Sequence, residues 1–228
     1  MDIQTLEAEL QKASKTEDFA VHNEFTRHLL ACDSSNIFQY HFELLRSTSN
    51  QKLYQRIRAA FVRRGDAVKQ FLIERVEHEA DSRLRGDAVQ ILGHLRAKEM
   101  LPLVRRFLSD TDDYLRYNAI IVLGWMGTED DVDLLGSRLN VEIDPKLRGY
   151  VATALRQVFL RLPETQKRCI SFLKAAIERE QVDATLELMI ISAQTISRKY
   201  FGLRENIDQG TITGDVTNAK AKALNVLA

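Results

Sequence analysis

Cysteine occurs only twice, as Cys32 and Cys169, with no CxxC spacing. That excludes a disulfide framework and leaves two inert thiols expected in a reducing compartment. Proline and glycine are sparse as well, at three and ten residues in 228, so little punctuates the chain. Charge of one sign is missing altogether: 32 basic and 32 acidic residues cancel. Residues 1–80 hold 11 basic and 12 acidic side chains and residues 81–228 hold 21 and 20, so neither part hides an excess. A neutral chain removes the electrostatic argument for DNA, RNA or an anionic membrane. No run approaches the ~20 apolar residues of a membrane helix. The opening MDIQTLEAELQKASK lacks the basic and apolar regions of a secretory signal. A soluble cytoplasmic protein is expected.

What the chain has is helical periodicity. Apolar residues recur at three- and four-residue spacing, and strict alternation is hard to find. Helices are expected over 3–14, 17–31, 36–47, 50–63, 66–78, 82–95, 98–108, 112–126, 129–139, 144–161, 164–179, 184–200 and 215–227.

The pattern also repeats. Leu53, Leu84, Leu115 and Leu147 are separated by 31, 31 and 32 residues. Four positions on stand Ile57, Ala88, Ala119 and Val151; eight on stand Phe61, Leu92, Leu123 and Leu155. Offsets of zero, four and eight lie on one helix face, so one stripe returns four times. A second apolar helix follows each stripe, carrying Val68, Phe71, Leu72 and Val76, then Leu101, Val104 and Leu108, then Val132, Leu135 and Leu139, then Cys169, Ile170 and Leu173. A lone helix pair cannot bury its apolar faces, whereas stacked pairs share a continuous core. Acidic residues at 112–113 and 129–131 read as helix caps. Gly93 and Gly124, equivalent positions near helix ends, read as close-approach or stop glycines.

The runs DSRLRGDAVQILGHL (81–95), DDYLRYNAIIVLGWM (112–126) and DPKLRGYVATALRQV (144–158) resemble HEAT repeats, and the second is similar to the short bacterial subtype named after phycobilisome lyases. The third carries Arg156 where the subtype has glycine, which implies a longer first helix. The resemblance implies an all-α solenoid in a single domain over 1–228: a helical cap at 1–48, repeats over 49–180, and C-terminal helices over 181–228 containing a loop at 200–217. It also implies a structural ladder of acid–arginine pairs between repeats. The acids are Glu79, Asp110 and Glu142, each six residues before Arg85, Arg116 and Arg148. The first unit has Thr48 and Tyr54 at these places, as expected of an atypical repeat.

Chemistry-bearing residues are scattered. His22, His28, His41, His78 and His94 form no HExxH or other close-spaced set. His78-Glu79 is a single His-Glu pair, where the HEAT-repeat di-iron enzyme deoxyhypusine hydroxylase needs four. No GxxxxGK[ST] or GxGxxG occurs, and GTITG at 210–214 lacks the lysine and strand of a phosphate loop. No catalytic residue, metal or cofactor is therefore expected. Arg63-Arg64 and Arg105-Arg106 read as basic residues serving helix ends and solubility.

For binding, Lys69, Arg105, Asp133 and Arg138 fall off the apolar stripe of second helices, which in stacked solenoids generally line the concave face. Tyr114, Tyr117 and Trp125 flank the central repeat, as packing residues or as binding hot spots. The aromatic run Phe38, Tyr40, Phe42 suits a cap or a partner-binding extension. The functional expectation is a non-catalytic protein that holds a protein partner, as an adaptor or as an immunity protein covering a toxin; an enzyme subunit is another candidate partner. Two rivals are a chromophore lyase or chaperone of the phycobilisome-lyase type, implied by the subtype, and a nucleic-acid binder, which the neutral charge disfavours. Charge reversal at Arg105 or Arg138 is expected to weaken partner capture without lowering the melting temperature, and Arg116→Ala to cost stability.

Overall fold

The computed structural model describes residues 3–32 and 36–227. Positions 1, 2 and 33–35 of the expected cap and 228 of the expected C-terminal region lie outside the described residues. The chain divides into two compact units, Met1–Met100 and Leu101–Ala228. The first contains α1 (Ile3–Ser14), α2 (Phe19–Ala31), α3 (Ile37–Ser47), α4 (Gln51–Arg63), α5 (Lys69–His78) and α6 (Ser82–His94). The second contains α7 (Leu101–Phe107), α8 (Asp113–Met126), α9 (Asp131–Val141), α10 (Pro145–Arg161), α11 (Gln166–Arg179), α12 (Asp183–Ser197) and α13 (Val216–Val226). Short 3-10 turns at Gly65–Val68, Lys98–Met100 and Pro163–Thr165 precede α5, α7 and α11.

Carboxylate and amide caps start these helices. Asp18, Asn50, Asp81, Asp112, Asp144 and Asp215 each accept backbone N–H groups of the first turn that have no intrahelical partner. Each helix then buries its apolar stripe. The twelve column residues, from Leu53, Ile57 and Phe61 through Leu147, Val151 and Leu155, are all buried. Burial of one such leucine contributes roughly 2 kcal/mol. In the first unit α2 packs on α4 and α4 on α6; in the second α8 packs on α10, α10 on α12, and α9 on α11. Antiparallel helix pairs stacked layer on layer make this an all-α fold of the α-solenoid class.

Two features depart from the expected pattern. The cap at 1–48 has no apolar stripe in register, yet α2 occupies the layer next to α4 as α4 does next to α6. His22 and Thr26 stand 31 residues before Leu53 and Ile57, and both are buried. The repeat extends one unit further back, with Leu30 at the third column position and polar residues at the first two. They are tolerated because they are bonded: His22 Nε2 lies 3.0 and 2.8 Å from the carbonyls of Ala13 and Thr16, and Thr26 Oγ1 donates to His22 O. The aromatic run of α3 packs inward, with Phe38 and Phe42 against Phe71 and Phe42 edge-on to Phe61.

The second departure is the expected loop at 200–217. It contains an antiparallel hairpin, β1 (Arg204–Asn206) paired with β2 (Thr211–Thr213). Gln194 of α12 secures its base: its side-chain oxygen accepts from Phe201 N and Leu203 N, and its amide donates to Leu203 O. Arg156 reaches Glu205 with both terminal nitrogens. Gly210, at φ +62°, takes the left-handed conformation that closes the turn. Three-residue strands are too short to show alternation, so the periodicity that marks the helices could not mark them.

Candidate functional site

The turns between repeats hold the arginines. Arg116 Nε and Nη2 bond Glu142 at 3.0 and 3.2 Å, and Arg148 Nε and Nη2 bond Glu180 at 2.7 and 3.0 Å. The third nitrogen of each guanidinium donates to turn carbonyls, Asp110 and Thr111 for Arg116, Glu142 and Ile143 for Arg148. This corrects the register expected from spacing. The acid six residues earlier supplies its backbone carbonyl, and the carboxylate comes from the next turn along the chain. The reason is that each acid's side chain is turned onto the N–H two residues on: Glu79 to Asp81, Asp110 to Asp112, Glu142 to Asp144, Glu180 to Val182. Glu180 belongs to this series and was missed, because no arginine stands six residues after it. In the first unit Arg46 takes Glu79 at 2.8 Å, while Arg85 donates to Val76 O. Tyr54 donates to the buried carboxylate of Asp87.

Three of these acids are strongly shaped by their surroundings. Burial by itself raises the Glu142 carboxyl, but the guanidiniums of Arg116 and Arg138 and the Asp144 N–H outweigh it and hold it below the usual carboxylate range. Glu180 is held down likewise against burial, by Arg148 and the N–H groups of Val182 and Gln181. Asp131, also buried, is held down by Arg105 and Thr128.

Those contacts settle where the charged candidates lie. Arg138 bonds Glu142 through Nε at 2.8 Å, and Arg105 grips Asp131 at 2.7 and 3.0 Å. Both carboxylate side chains are 0% exposed. Arg105 and Arg138 therefore serve the scaffold: their reversal would leave a buried anion facing another anion, so melting temperature must fall, against the expectation from sequence. Lys69 pairs with Asp66 and Asp133 with Arg168, both partly or largely exposed pairs.

The aromatic candidates fare differently. Tyr114 stacks on Tyr117 with centroids 6.2 Å apart, and Tyr117 meets Tyr150 of α10 edge-on at 5.1 Å. The three rings are half-buried and surround a cleft of about 380 Å³ whose other lining residues are Asp113, Asp144, Lys146 and Leu147. Tyr150 was missed because it sits three residues after the column leucine, where neighbouring units carry Asp87 and Asn118. Trp125 is half-buried, eight residues on from Tyr117 and so on the same side of α8. Gly124 beside it brings α8 against α10: a side chain there would stand 3.1 Å from Ala154 Cα and collide with Gln157. Aromatic rings that are half-exposed, mutually stacked and rimmed by charge can take up a partner's side chain by stacking, apolar contact and hydrogen bonds through the phenol hydroxyls.

Other chemistry-bearing residues stand apart. His41 is enclosed: its Nε2 donates to Ile57 O, its Nδ1 accepts from Arg64 Nε, and its ring stacks on Phe61. Burial, with Arg64's charge beside it, pushes its pKa down to about 3. Glu79 of the His78-Glu79 pair is engaged by Arg46, and His78 is exposed. Cys32 and Cys169 are free and buried, and burial raises the Cys169 thiol. Among the described residues no group of three or more histidine, cysteine or carboxylate side chains could hold a metal ion, and no helix is long and apolar enough to cross a membrane.

The paired helices, the recurring column and the capped arginine turns define the class, an α-solenoid of stacked helix pairs, and residues 69–156 match the family model of HEAT repeats. Among relatives, a 59-residue stretch is 44% identical to the uncharacterized phycocyanin operon protein Y of Pseudanabaena tenuis. That stretch covers 25% of this chain and 14% of the relative's own length.

Proposed function

We propose that this chain is a non-catalytic protein-binding module that takes its partner on the tyrosine-bearing side of α8 and α10. HEAT repeats suggest protein interaction as the general role. The observation that carries the finer reading is the Tyr114–Tyr117–Tyr150 cluster around its cleft, three residues of a type enriched in binding hot spots. The charged candidates of the second helices are engaged in ion pairs, which moves the favoured surface from those helices to the first helices. Adaptor and toxin-neutralising roles are both forms of this reading and differ only in the partner. Capture from native lysate by the wild-type chain and by a Tyr117→Ser/Tyr150→Ser variant, compared by quantitative mass spectrometry, tests it. A protein enriched on the wild type and depleted at least tenfold on the variant is expected; equal recovery of every captured protein would count against this surface.

The second reading, a lyase or chaperone acting on a chromophore protein, is favoured by the phycocyanin-operon origin in the name of the Pseudanabaena relative and by the subtype resemblance of residues 112–126. It predicts a shifted absorption band when the chain is mixed with a linear tetrapyrrole, lost in the same tyrosine variant. An unchanged spectrum removes it.

A further inference from the structure

The tyrosine cleft carries a charge pattern that restricts what a partner can place in it. Among its lining residues Asp113 and Asp144 are anionic and Lys146 is cationic, so two carboxylates stand against one ammonium. The cleft of about 390 Å³ between α4 and α6 differs, being lined by Arg58, Arg63, Gln55 and Gln90. Asp113 opens α8 and is exposed. Asp144 is held by its cap: one oxygen accepts from Lys146 N at 2.7 Å and Leu147 N at 3.2 Å, which fixes the carboxylate at the start of α10. Lys146 is exposed, with its charge at the end of a flexible stem that can turn to water. The rings add to the same potential, since a tyrosine face is the negative part of its quadrupole and attracts a cation within about 6 Å of the ring centre. Tyr117 and Tyr150, inclined at 62°, form a corner, and Tyr114, at 25° to Tyr117, extends one wall. The first unit makes such contacts internally: the guanidinium carbon of Arg56 lies 4.3 Å from the ring centre of Phe19, and that of Arg83 5.2 Å from Tyr54.

We infer that, on the docking surface proposed above and resting on that reading, this cleft takes an arginine side chain of the partner protein. Its guanidinium lies against the rings of Tyr117 and Tyr150, and its N–H groups are directed to Asp113 and Asp144. Arginine suits the cleft better than lysine. Its planar, weakly hydrated group can lie flat on a ring while its edge donates to a carboxylate, whereas an ammonium is a compact, strongly hydrated point charge. A neutral side chain leaves both carboxylates unanswered, and an anion is repelled by them.

The test uses the full chain, 15N-labelled, titrated with the peptide acetyl-Gly-Gly-Arg-Gly-Gly-amide and with its citrulline and lysine counterparts. Citrulline has the shape of arginine without the charge. The arginine peptide should bind saturably and shift the backbone resonances of residues 113–117 and 144–150. It should bind about tenfold tighter than the citrulline peptide, with the lysine peptide between. Asparagine caps a helix as well as aspartate does, so Asp113→Asn/Asp144→Asn should stay folded with a melting temperature close to the wild type. The same variant should weaken the arginine peptide about fivefold. Citrulline or lysine binding as tightly as arginine would overturn the inference. So would shifts confined to other helices, or the double asparagine variant binding like the wild type. In the lysate capture, a protein lost from Tyr117→Ser/Tyr150→Ser but fully recovered by Asp113→Asn/Asp144→Asn would also overturn it, while leaving the docking surface standing. Equal recovery of every protein by the tyrosine variant removes the surface and the arginine with it.

Discussion

Residues 1–100 and 101–228 are built on one repeat but secured by different chemistry. The first unit adds to its Arg46–Glu79 pair a buried neutral imidazole: His41, enclosed between Ile57 O and the Arg64 guanidinium. The second is pinned by charge: Glu142, Glu180 and Asp131 each accept two or more bonds from arginine. Their first-helix clefts differ too, with arginines and glutamines lining the first and tyrosines the second. The lesson is that a solenoid's column tolerates almost any means of satisfying its buried polar groups, so the repeat specifies the fold and leaves the faces between helices free to diverge.

The comparison can be broken most forcefully at Glu142. Glu142→Ala strands Arg116 and Arg138 beside a buried site and should cost about 3–5 kcal/mol, with hydrogen exchange accelerating in residues 101–228. Thermal and exchange measurements together check it. Acid separates the units next. The His41 pKa falls from 6.5 in the unfolded chain to about 3 in the folded one, so the unfolded state binds more protons as pH falls below 6.5. The first unit should lose about 2 kcal/mol by pH 5, at roughly 1.4 kcal/mol per unit. The second unit's carboxylates are depressed, so their contribution is complete above ordinary carboxylate values, 4.5 for Glu and 3.8 for Asp, and is lost only below them. Exchange at pH 5 should therefore rise in residues 1–100 first; loss in both units at one pH would erase the distinction.

Gly124→Ala forces α8 off Ala154 and Gln157 and should cost about 1–3 kcal/mol, read as a lowered melting temperature. The smallest effect has the opposite sign. Burial, with Asp183 nearby, raises Glu187, so its charge at neutral pH opposes folding, and Glu187→Gln should raise the melting temperature slightly.

Much of this was legible in sequence because helices print their period. The thirteen expected segments correspond to α1–α13 with ends within a few residues. What escaped has physical causes. The α2 layer was hidden because His22 and Thr26 are polar, and a search for apolar columns passes over satisfied polar residues. The hairpin at 204–213 was too short to alternate. The partners of Arg105, Arg116 and Arg138 were misjudged because an arginine side chain is long, and spacing along the chain does not say which turn it meets. Tyr114 and Tyr117 were singled out in sequence, but only packing of α8 on α10 adds Tyr150 and makes a cleft of them.

The central claim is that binding and scaffold are separate, tyrosines for one and arginines for the other. It is tested by measuring melting temperature and partner recovery, at a temperature where all the chains are folded, for Tyr117→Ser/Tyr150→Ser and for Arg138→Ala. The account predicts that the tyrosine variant loses recovery at least tenfold with a small change in melting temperature, and that Arg138→Ala loses several degrees with recovery intact. The reverse pattern, recovery lost with Arg138 and kept without the tyrosines, would contradict it.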